Sequence, residues 1–121
     1  MLTKLNVLVL EDEPLIALDI EDTLERAGFG RITLLHTCRD ALHFLAQERP
    51  DVALIDVQLQ DGVCNEVAEH LAAANVPFVV YSGLEEAAEE LGESFRRGRW
   101  LLKPASAKDL VEALEGSVAG A

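Results

Sequence analysis

The sequence predicts a doubly wound α/β fold, in which a parallel sheet lies between two layers of helices. Short apolar runs rich in β-branched residues alternate with segments of helical period, and about five such pairs fill the 121 residues. Right-handed crossovers then place helices on both faces of the sheet. Since 50% of the residues are hydrophobic, we expect one domain over 1–121, with its core at about 5–118.

The first half of the chain contains two strand-and-helix pairs. Residues 5–10 are too continuously apolar for a half-exposed strand, so they are predicted to form a strand buried on both faces. The next helix, over 14–27, begins with proline, carries apolar residues on one face and stops at Gly28. Residues 31–35 make the second strand, and 39–47 the second helix.

The second half continues the alternation. Its strands and helices are predicted at 51–56 (strand), 64–74 (helix), 76–81 (strand), 85–95 (helix) and 99–102 (strand). The sequence VQLQDG after the third strand indicates an irregular loop, and the helix over 85–95 has a glutamate-rich outer side. The last helix opens at Ser106, with Asp109 at the spacing of a capping box.

Polar residues close or directly follow four of the five predicted strands. They are Glu11 and Asp12, Asp56, Ser82, and Lys103. In a sheet of order 2-1-3-4-5 the first and third strands are neighbours, and ligands bind at the carboxyl ends of the strands. We therefore expect Glu11, Asp12 and Asp56 to converge on one small region.

Three converging carboxylates need cations. Two like charges about 4 Å apart cost on the order of 4 kcal/mol at an effective dielectric of about 20. Lys103 supplies part of the compensating charge, and Mg²⁺ is the hard cation that best suits carboxylate ligands with room for water and phosphate. Beside such a metal Asp56 is able to attack phosphorus, while the Ser82 hydroxyl donates to the phosphoryl group.

Four segments, VLVLEDEP, DVALIDVQLQDG, VVYSG and WLLKP, together resemble the receiver domain of bacterial two-component response regulators. The resemblance covers nearly the whole chain, from about residue 5 to residue 114. It is specific because an acidic pair, an acceptor aspartate, a hydroxyl residue and a Lys-Pro pair follow four different strands. It implies the flavodoxin-like, five-unit form of the doubly wound fold, a three-layer sandwich.

The resemblance also implies a role for each strand-end residue. Asp56 is the phosphoacceptor, Ser82 the switch hydroxyl and Lys103 the phosphate contact. Mg²⁺ is held by Glu11, Asp12, Asp56 and the backbone carbonyl of Gln58. The Lys103-Pro104 bond is expected to be cis.

The implied function is that of a phosphorelay receiver. It takes a phosphoryl group from a sensor histidine kinase or a histidine phosphotransfer protein and then changes its affinity for a downstream protein. Such a chain turns over no foreign substrate and acts only on its own phosphorylation. Three alternatives are a small Mg²⁺-dependent phosphatase with an aspartyl intermediate, a phosphorylation-independent interaction module, and a receiver excised from a longer regulator or hybrid kinase. A homodimer is a further possible assembly.

The acidic composition restricts the partners. With 10 Lys and Arg against 22 Asp and Glu, the formal charge is −12, which repels nucleic acid and anionic membranes. The cluster of Arg96, Arg97 and Arg99 is expected to offset nearby glutamates rather than to bind nucleic acid. No signal peptide or apolar span occurs in the sequence, so a cytoplasmic location is expected.

Five other residues are expected to play no part in the chemistry. Cys38 and Cys64 lack a metal-binding or redox spacing and are predicted to be reduced thiols. His36, His43 and His70 lack partners at metal-ligand spacing and are predicted to be solvated.

Two further residues bear on the loop and the switch. Asp61 is expected only to shape a turn with Gly62. Trp100 stands three residues before Lys103, where many receivers carry a Tyr or Phe whose rotation couples to the switch hydroxyl. Its larger indole therefore puts aromatic coupling in question.

Overall fold

The computed structural model describes residues 4–83 and 92–120, without the side chain of Gln58. Within them the strands are β1 Val7–Leu10, β2 Ile32–Leu35, β3 Val52–Ile55, β4 Gln58–Leu59, β5 Gly62–Val63, β6 Phe78–Ser82 and β7 Arg99–Leu102. Five of them form a parallel sheet of order β2-β1-β3-β6-β7. This is the predicted order 2-1-3-4-5, because β4 and β5 pair separately as a hairpin.

The centre of the sheet is apolar on both faces. Every residue of β1 and β3 is buried, as the continuous apolar runs predict. Because alternate residues of a strand point to opposite faces, Leu8 and Leu10 join one core cluster while Val7 and Val9 join the other. The carboxyl ends of β1 and β3 lie side by side, with Leu10 opposite Ile55.

Two layers of helices cover the sheet, as predicted. In the described residues the α-helices are α1 Pro14–Arg26, α2 Cys38–Leu45, α3 Asn65–Ala73 and α4 Ala107–Ala119. α2 and α3 contribute Leu45 and Leu71 to the core around Leu8, and α1 and α4 contribute Leu24 and Leu114 to the core around Val9. None of these helices is both long and apolar enough to cross a membrane.

Side-chain caps define where two helices begin. Ser106 Oγ accepts a hydrogen bond from the Asp109 N–H at 3.0 Å, which confirms the cap predicted for the last helix. Thr37 Oγ1 accepts one from the Asp40 N–H at 3.1 Å at the start of α2. α2 consequently begins at Cys38, one residue before the predicted start.

The segment after Asp56 is more regular than predicted. Instead of an irregular loop, β4 and β5 form a short antiparallel hairpin in which Leu59 pairs with Gly62. Gly62 has a φ of +121°, a conformation that side chains with a Cβ rarely adopt. Leu59 is only 3% exposed, so the hairpin is anchored to the core by an apolar side chain.

The helix predicted over 85–95 falls mainly on residues 84–91, which lie outside the described residues. Beyond them a 3-10 helix runs over Glu93–Arg97, and its Phe95 is completely buried. This single large side chain packs into the core beside α3. The buried Phe95 side chain therefore anchors the 3-10 helix to the core just before β7.

The cysteines are not reduced thiols, so that prediction is wrong. Cys38 and Cys64 form a disulfide, with their Cα atoms 5.5 Å apart and a separation of 26 positions in sequence. Cys38 begins α2, and Cys64 is the residue that precedes α3. Both helices follow parallel strands and start at the same edge of the sheet, which brings the two sulfur atoms together although their spacing matches no motif.

Candidate functional site

The carboxyl ends of β1 and β3 bring three acids together, as predicted. Glu11 and Asp12 follow β1, and Asp56 follows β3. The Asp56 N–H donates to the Leu10 carbonyl at 3.0 Å, so the pairing of the strands continues up to the site. Glu11, Asp12 and Asp56 each offer a carboxylate oxygen, and these atoms lie within 4.8 Å of one another.

Glu11 is the most deeply placed of these acids. The residue is 1% exposed, whereas the Asp56 side chain is 15% exposed. Glu11 Oε2 accepts a hydrogen bond from the Glu13 N–H at 3.1 Å, which holds its carboxylate toward the start of α1. A buried carboxylate beside two others is tolerated only where cationic groups compensate its charge.

Lys103 supplies that charge. Its Nζ donates to Glu11 Oε1 at 2.6 Å and to Asp56 Oδ2 at 2.8 Å, so one ammonium bridges the ends of two strands. The Lys103 side chain is 17% exposed, and its Nζ lies 5.3 Å from the centroid of the Tyr81 ring. Lys103 is followed by a cis bond to Pro104, as predicted.

The surroundings of Lys103 keep it charged. Burial by itself lowers the pKa of the Lys103 ammonium, but hydrogen bonds and charge attraction from Asp56 and Glu11 outweigh burial and raise the pKa above 10.5. A raised pKa in the folded state means that this ion pairing stabilises the fold fully below pH 10.5. The contribution is lost as the pH rises through the raised value.

Ser82 and Lys103 are coupled through the backbone. Ser82 ends β6 and is 7% exposed, and its carbonyl accepts the Lys103 N–H at 2.9 Å. This bond continues the pairing of β6 with β7 one step beyond Leu102. The predicted switch hydroxyl and the predicted phosphate contact are therefore fixed relative to each other.

Gln58 begins β4, two residues after Asp56, and pairs with Val63. Between them, Val57 is 2% exposed and its carbonyl accepts the Cys64 N–H at 3.3 Å. Hairpin pairing and this bond both restrain the backbone that carries the predicted carbonyl ligand. The restraint lies in the hairpin that the sequence did not predict.

The donor set fits a hard divalent cation. Three carboxylates within reach of one another offer oxygen ligands, and oxygen ligands are what Mg²⁺ takes in proteins. Glu11, Asp12 and Asp56 would hold it. Lys103 stands on the side of Asp56 and Glu11, where it neutralises charge that a single divalent ion leaves uncompensated.

Tyr81 and His36 contribute to the site, and the sequence reasoning did not foresee it. The Tyr81 hydroxyl accepts the Ala105 N–H at 3.1 Å, which fixes the chain just after the Lys103-Pro104 turn. His36 is exposed, as predicted, yet its Nδ1 donates to the Glu11 carbonyl at 2.8 Å. The available signals were an aromatic residue directly before Ser82 and a polar residue directly after the second strand.

Asp61 does more than shape a turn. Its two carboxylate oxygens accept the N–H groups of Cys38 at 2.8 Å and Arg39 at 3.1 Å. These bonds, first that from Cys38 and then that from Arg39, lower the pKa of Asp61 below its ordinary value of 3.8. Asp61 thus ties the β4–β5 hairpin to the beginning of α2.

Trp100 lies in β7, at the edge of the described sheet, and is 38% exposed. Its indole N–H donates to the Phe95 carbonyl at 3.1 Å. This bond holds the Trp100 ring to the 3-10 helix.

The sequence and the fold of this chain have counterparts among known proteins. Residues 7–115 match the family described as "Response regulator receiver domain". Over 84 residues the chain is 34% identical to the "Phyllosphere-induced regulator PhyR" of Methylorubrum extorquens. The aligned region covers 67% of this chain and 32% of that protein. The chain spans 32% to 43% of the length of the curated relatives it matches first.

Solved structures give the same result. The solution structure of SdrG from Sphingomonas melonis Fr1 is 32% identical, has a TM-score of 0.80, and the match covers 98% of this chain and 99% of that one. The receiver domain of the sensor histidine kinase PA1611 from Pseudomonas aeruginosa PAO1, with magnesium coordinated in its active-site cleft, is 22% identical with a TM-score of 0.82. That match covers 96% of this chain and 98% of the other, and shows likeness of fold. The chain described here belongs to the response regulator receiver domain family.

Proposed function

We propose that this receiver accepts a phosphoryl group on Asp56 in a Mg²⁺-dependent reaction and thereby switches its binding to another protein. The observation that carries the proposal is the bridge from Lys103 Nζ to Asp56 at 2.8 Å and to Glu11 at 2.6 Å, beside a third carboxylate. A structural salt bridge needs one carboxylate. Here three acids and an ammonium lie together at the edge where α/β sheets bind ligands.

The proposed chemistry begins with the Asp56 carboxylate. One of its oxygens attacks the phosphorus of a phosphohistidine, an O–P bond forms, and the P–N bond breaks. The electron pair of that bond goes to the imidazole nitrogen of the donor. Lys103 donates to the transferred group, and Ser82 lies at the end of the neighbouring strand, where its hydroxyl would donate to a phosphoryl oxygen.

Mg²⁺ bound by Glu11, Asp12, Asp56 and the Gln58 carbonyl would neutralise charge on the phosphoryl oxygens. The chain's own contribution is to hold these ligands before the reaction. Glu11 is fixed by its bonds to Lys103 and to the Glu13 N–H, and Asp56 by its backbone bond to Leu10. A ligand set held in place needs little rearrangement when the phosphoryl group arrives.

The proposed partners are proteins. A sensor histidine kinase or a histidine phosphotransfer protein donates the phosphoryl group, and a downstream protein reads the phosphorylated state. The formal charge of −12 supports a protein target over nucleic acid, because the field of this domain repels phosphate backbones.

We further propose that the domain acts only on its own aspartyl phosphate. Phosphatases of the aspartyl type need an acid near the nucleophile to protonate the leaving group. Gln58 occupies the convenient position two residues after Asp56 and has no such proton to give. Assays with a panel of phosphate monoesters are expected to show no turnover, and sustained hydrolysis of any of them would contradict this part of the proposal.

The test of the function is covalent modification of Asp56. The protein is incubated with acetyl phosphate and Mg²⁺, and the modified residue is located by mass spectrometry of peptides. We expect one phosphoryl group on Asp56 and none on an Asp56→Asn variant. Removal of Mg²⁺ with EDTA is expected to suppress the wild-type reaction.

Asp22→Asn is the matched control. It makes the same chemical change at an exposed aspartate of α1, which pairs with Arg26 at 2.9 Å and is not one of the clustered acids of the site. This variant is expected to be phosphorylated as fast as the wild type. Undiminished modification of Asp56→Asn, or no modification of the wild type by any donor, would overturn the proposed function.

A further inference from the structure

We propose that the Cys38–Cys64 disulfide is a thiol–disulfide exchange site whose reduction by a dithiol loosens the hairpin next to Asp56 and weakens Mg²⁺ binding. For its functional consequence this inference rests on the proposed function, because Asp56 and Gln58 matter only as metal and phosphoryl ligands. The disulfide itself is a feature that the receiver chemistry does not use.

The position of the disulfide relates it to the site. Segment 56–64, which we call the acceptor hairpin, begins at the predicted phosphoacceptor and ends at Cys64. The disulfide joins that end to Cys38 at the start of α2. The covalent bond therefore closes the hairpin onto a helix that belongs to the rigid sheet framework.

A second tether holds the same hairpin to the same helix. Asp61, in the turn between β4 and β5, accepts the N–H groups of Cys38 at 2.8 Å and Arg39 at 3.1 Å. This tether is exposed and noncovalent, so water competes with it. With the disulfide reduced, Asp61 and the buried side chains of Val57 and Leu59 are left to hold the hairpin.

A reductant has a way to reach the disulfide. A surface groove of about 480 Å³ lies against both cysteines, and it is also lined by Arg39, Leu42, Asp61 and Glu66. Cys64 is 1% exposed, whereas Cys38 is half-buried. The accessible sulfur is consequently that of Cys38, and Cys64 is the leaving group.

The local electrostatics suit that leaving group. Cys64 immediately precedes α3, a helix of nine residues, whose N-terminal end carries partial positive charge. A thiolate released there is stabilised, as is known for reactive cysteines at helix N-termini. Cys38 also stands at a helix start, so it is the burial of the Cys64 sulfur that favours exchange at Cys38 over a direct attack on Cys64.

The exchange balances with a dithiol as the reductant. Its thiolate forms an S–S bond with Cys38 Sγ while the Cys38–Cys64 bond breaks, and Cys64 leaves as a thiolate that takes up a proton. The second thiol of the reductant then displaces Cys38. Two electrons and two protons pass to the protein, which gains two thiols, and the reductant becomes a disulfide.

The experiment compares the oxidised and the dithiothreitol-reduced forms of the wild-type protein. Maleimide labelling after denaturation counts the free thiols, amide hydrogen exchange reports on residues 57–64, and titration with Mg²⁺ gives its Kd. On reduction we expect two labelled thiols, faster exchange in the acceptor hairpin, and a Kd raised by up to about tenfold, the low end of what groups behind metal ligands contribute.

A Cys38→Ser variant separates the disulfide from side effects of the reductant. It removes the half-buried sulfur, leaves Cys64 in the core, and is expected to show the reduced-state exchange and Kd whether or not dithiothreitol is present. Cys38→Ala repeats the comparison without a hydroxyl. Asp61→Asn, which keeps the cysteines, is expected to respond to dithiothreitol as the wild type does.

The outcomes distinguish this inference from the proposed function. Two free thiols after treatment with oxidised dithiothreitol, or equal exchange and equal Kd in both redox states, would overturn the redox site and leave phosphorylation of Asp56 unaffected. Absence of phosphorylation in both states, together with a redox-dependent Kd and hairpin exchange, would overturn the proposed function and support the exchange site.

Discussion

The ion pair in the candidate site and an ion pair on the surface have the same length and different surroundings. Lys103 Nζ lies 2.8 Å from Asp56 Oδ2, and Arg31 Nη1 lies 2.8 Å from Glu48 Oε1. The side chains of the first pair are 17% and 15% exposed, and those of the second are 65% and 51% exposed. Distance alone therefore does not say which pair matters.

The difference lies in what remains when one partner is removed. On the surface, water solvates the remaining charge at little cost, so such pairs contribute about 0 to 1 kcal/mol. In the site, loss of Lys103 would leave Glu11, whose side chain is 2% exposed, beside two other carboxylates. The arrangement is unstable without a cation, and this need is what makes the site suited to a metal ion.

Lys103→Met should give the largest effect on stability. In EDTA at pH 7 we expect the free energy of unfolding to fall by about 3 kcal/mol, since breaking a buried pair leaves an uncompensated charge. Part of the loss should return when Mg²⁺ is added, because the metal replaces the missing charge. Urea unfolding followed by far-UV circular dichroism measures both. If Lys103→Met lowers the free energy of unfolding no more than Arg31→Gln does, the buried pair contributes no more to stability than the surface pair.

Asp61 should give an intermediate effect that depends on pH. Its pKa is lowered in the folded state, so its bonds to α2 stabilise the fold above pH 3.8, and this contribution is lost as the pH falls through the lowered pKa. Asp61→Asn should therefore be less stable than the wild type at pH 7, by a margin that narrows below pH 3.8. Urea midpoints of both proteins at a series of pH values measure this difference in stability. A difference that does not change with pH would contradict the stabilising role given to the Asp61 carboxylate.

Arg31→Gln should give the smallest effect. We expect a change of less than about 0.5 kcal/mol in the free energy of unfolding, because both partners are solvated when separated. High salt should reduce even this difference, whereas the effect of Lys103→Met should survive because buried pairs are screened much less. A salt series for both variants, measured side by side, tests the contrast directly.

The elements of the site-bearing edge were predictable because they depend on local patterns. The apolar runs that became β1 and β3 fixed which residues follow the strands, and the parallel sheet required those residues to meet. Glu11, Asp12, Asp56 and Lys103 were found together for that reason. Ser106 was predicted as a helix cap from a spacing of three residues, and it caps α4.

Pairings between distant segments were not predictable in the same way. The sequence by itself determined the fold class, the order of strands and helices, and the residues placed at the strand ends, since periodicity and turn residues are local properties. Tertiary structure alone decided the bond between Cys38 and Cys64, the hydrogen bonds from the start of α2 to Asp61 and the position of Lys103 beside Tyr81. These contacts join residues 22 to 26 positions apart, and their geometry exists only once separate helices and strands have packed against one sheet.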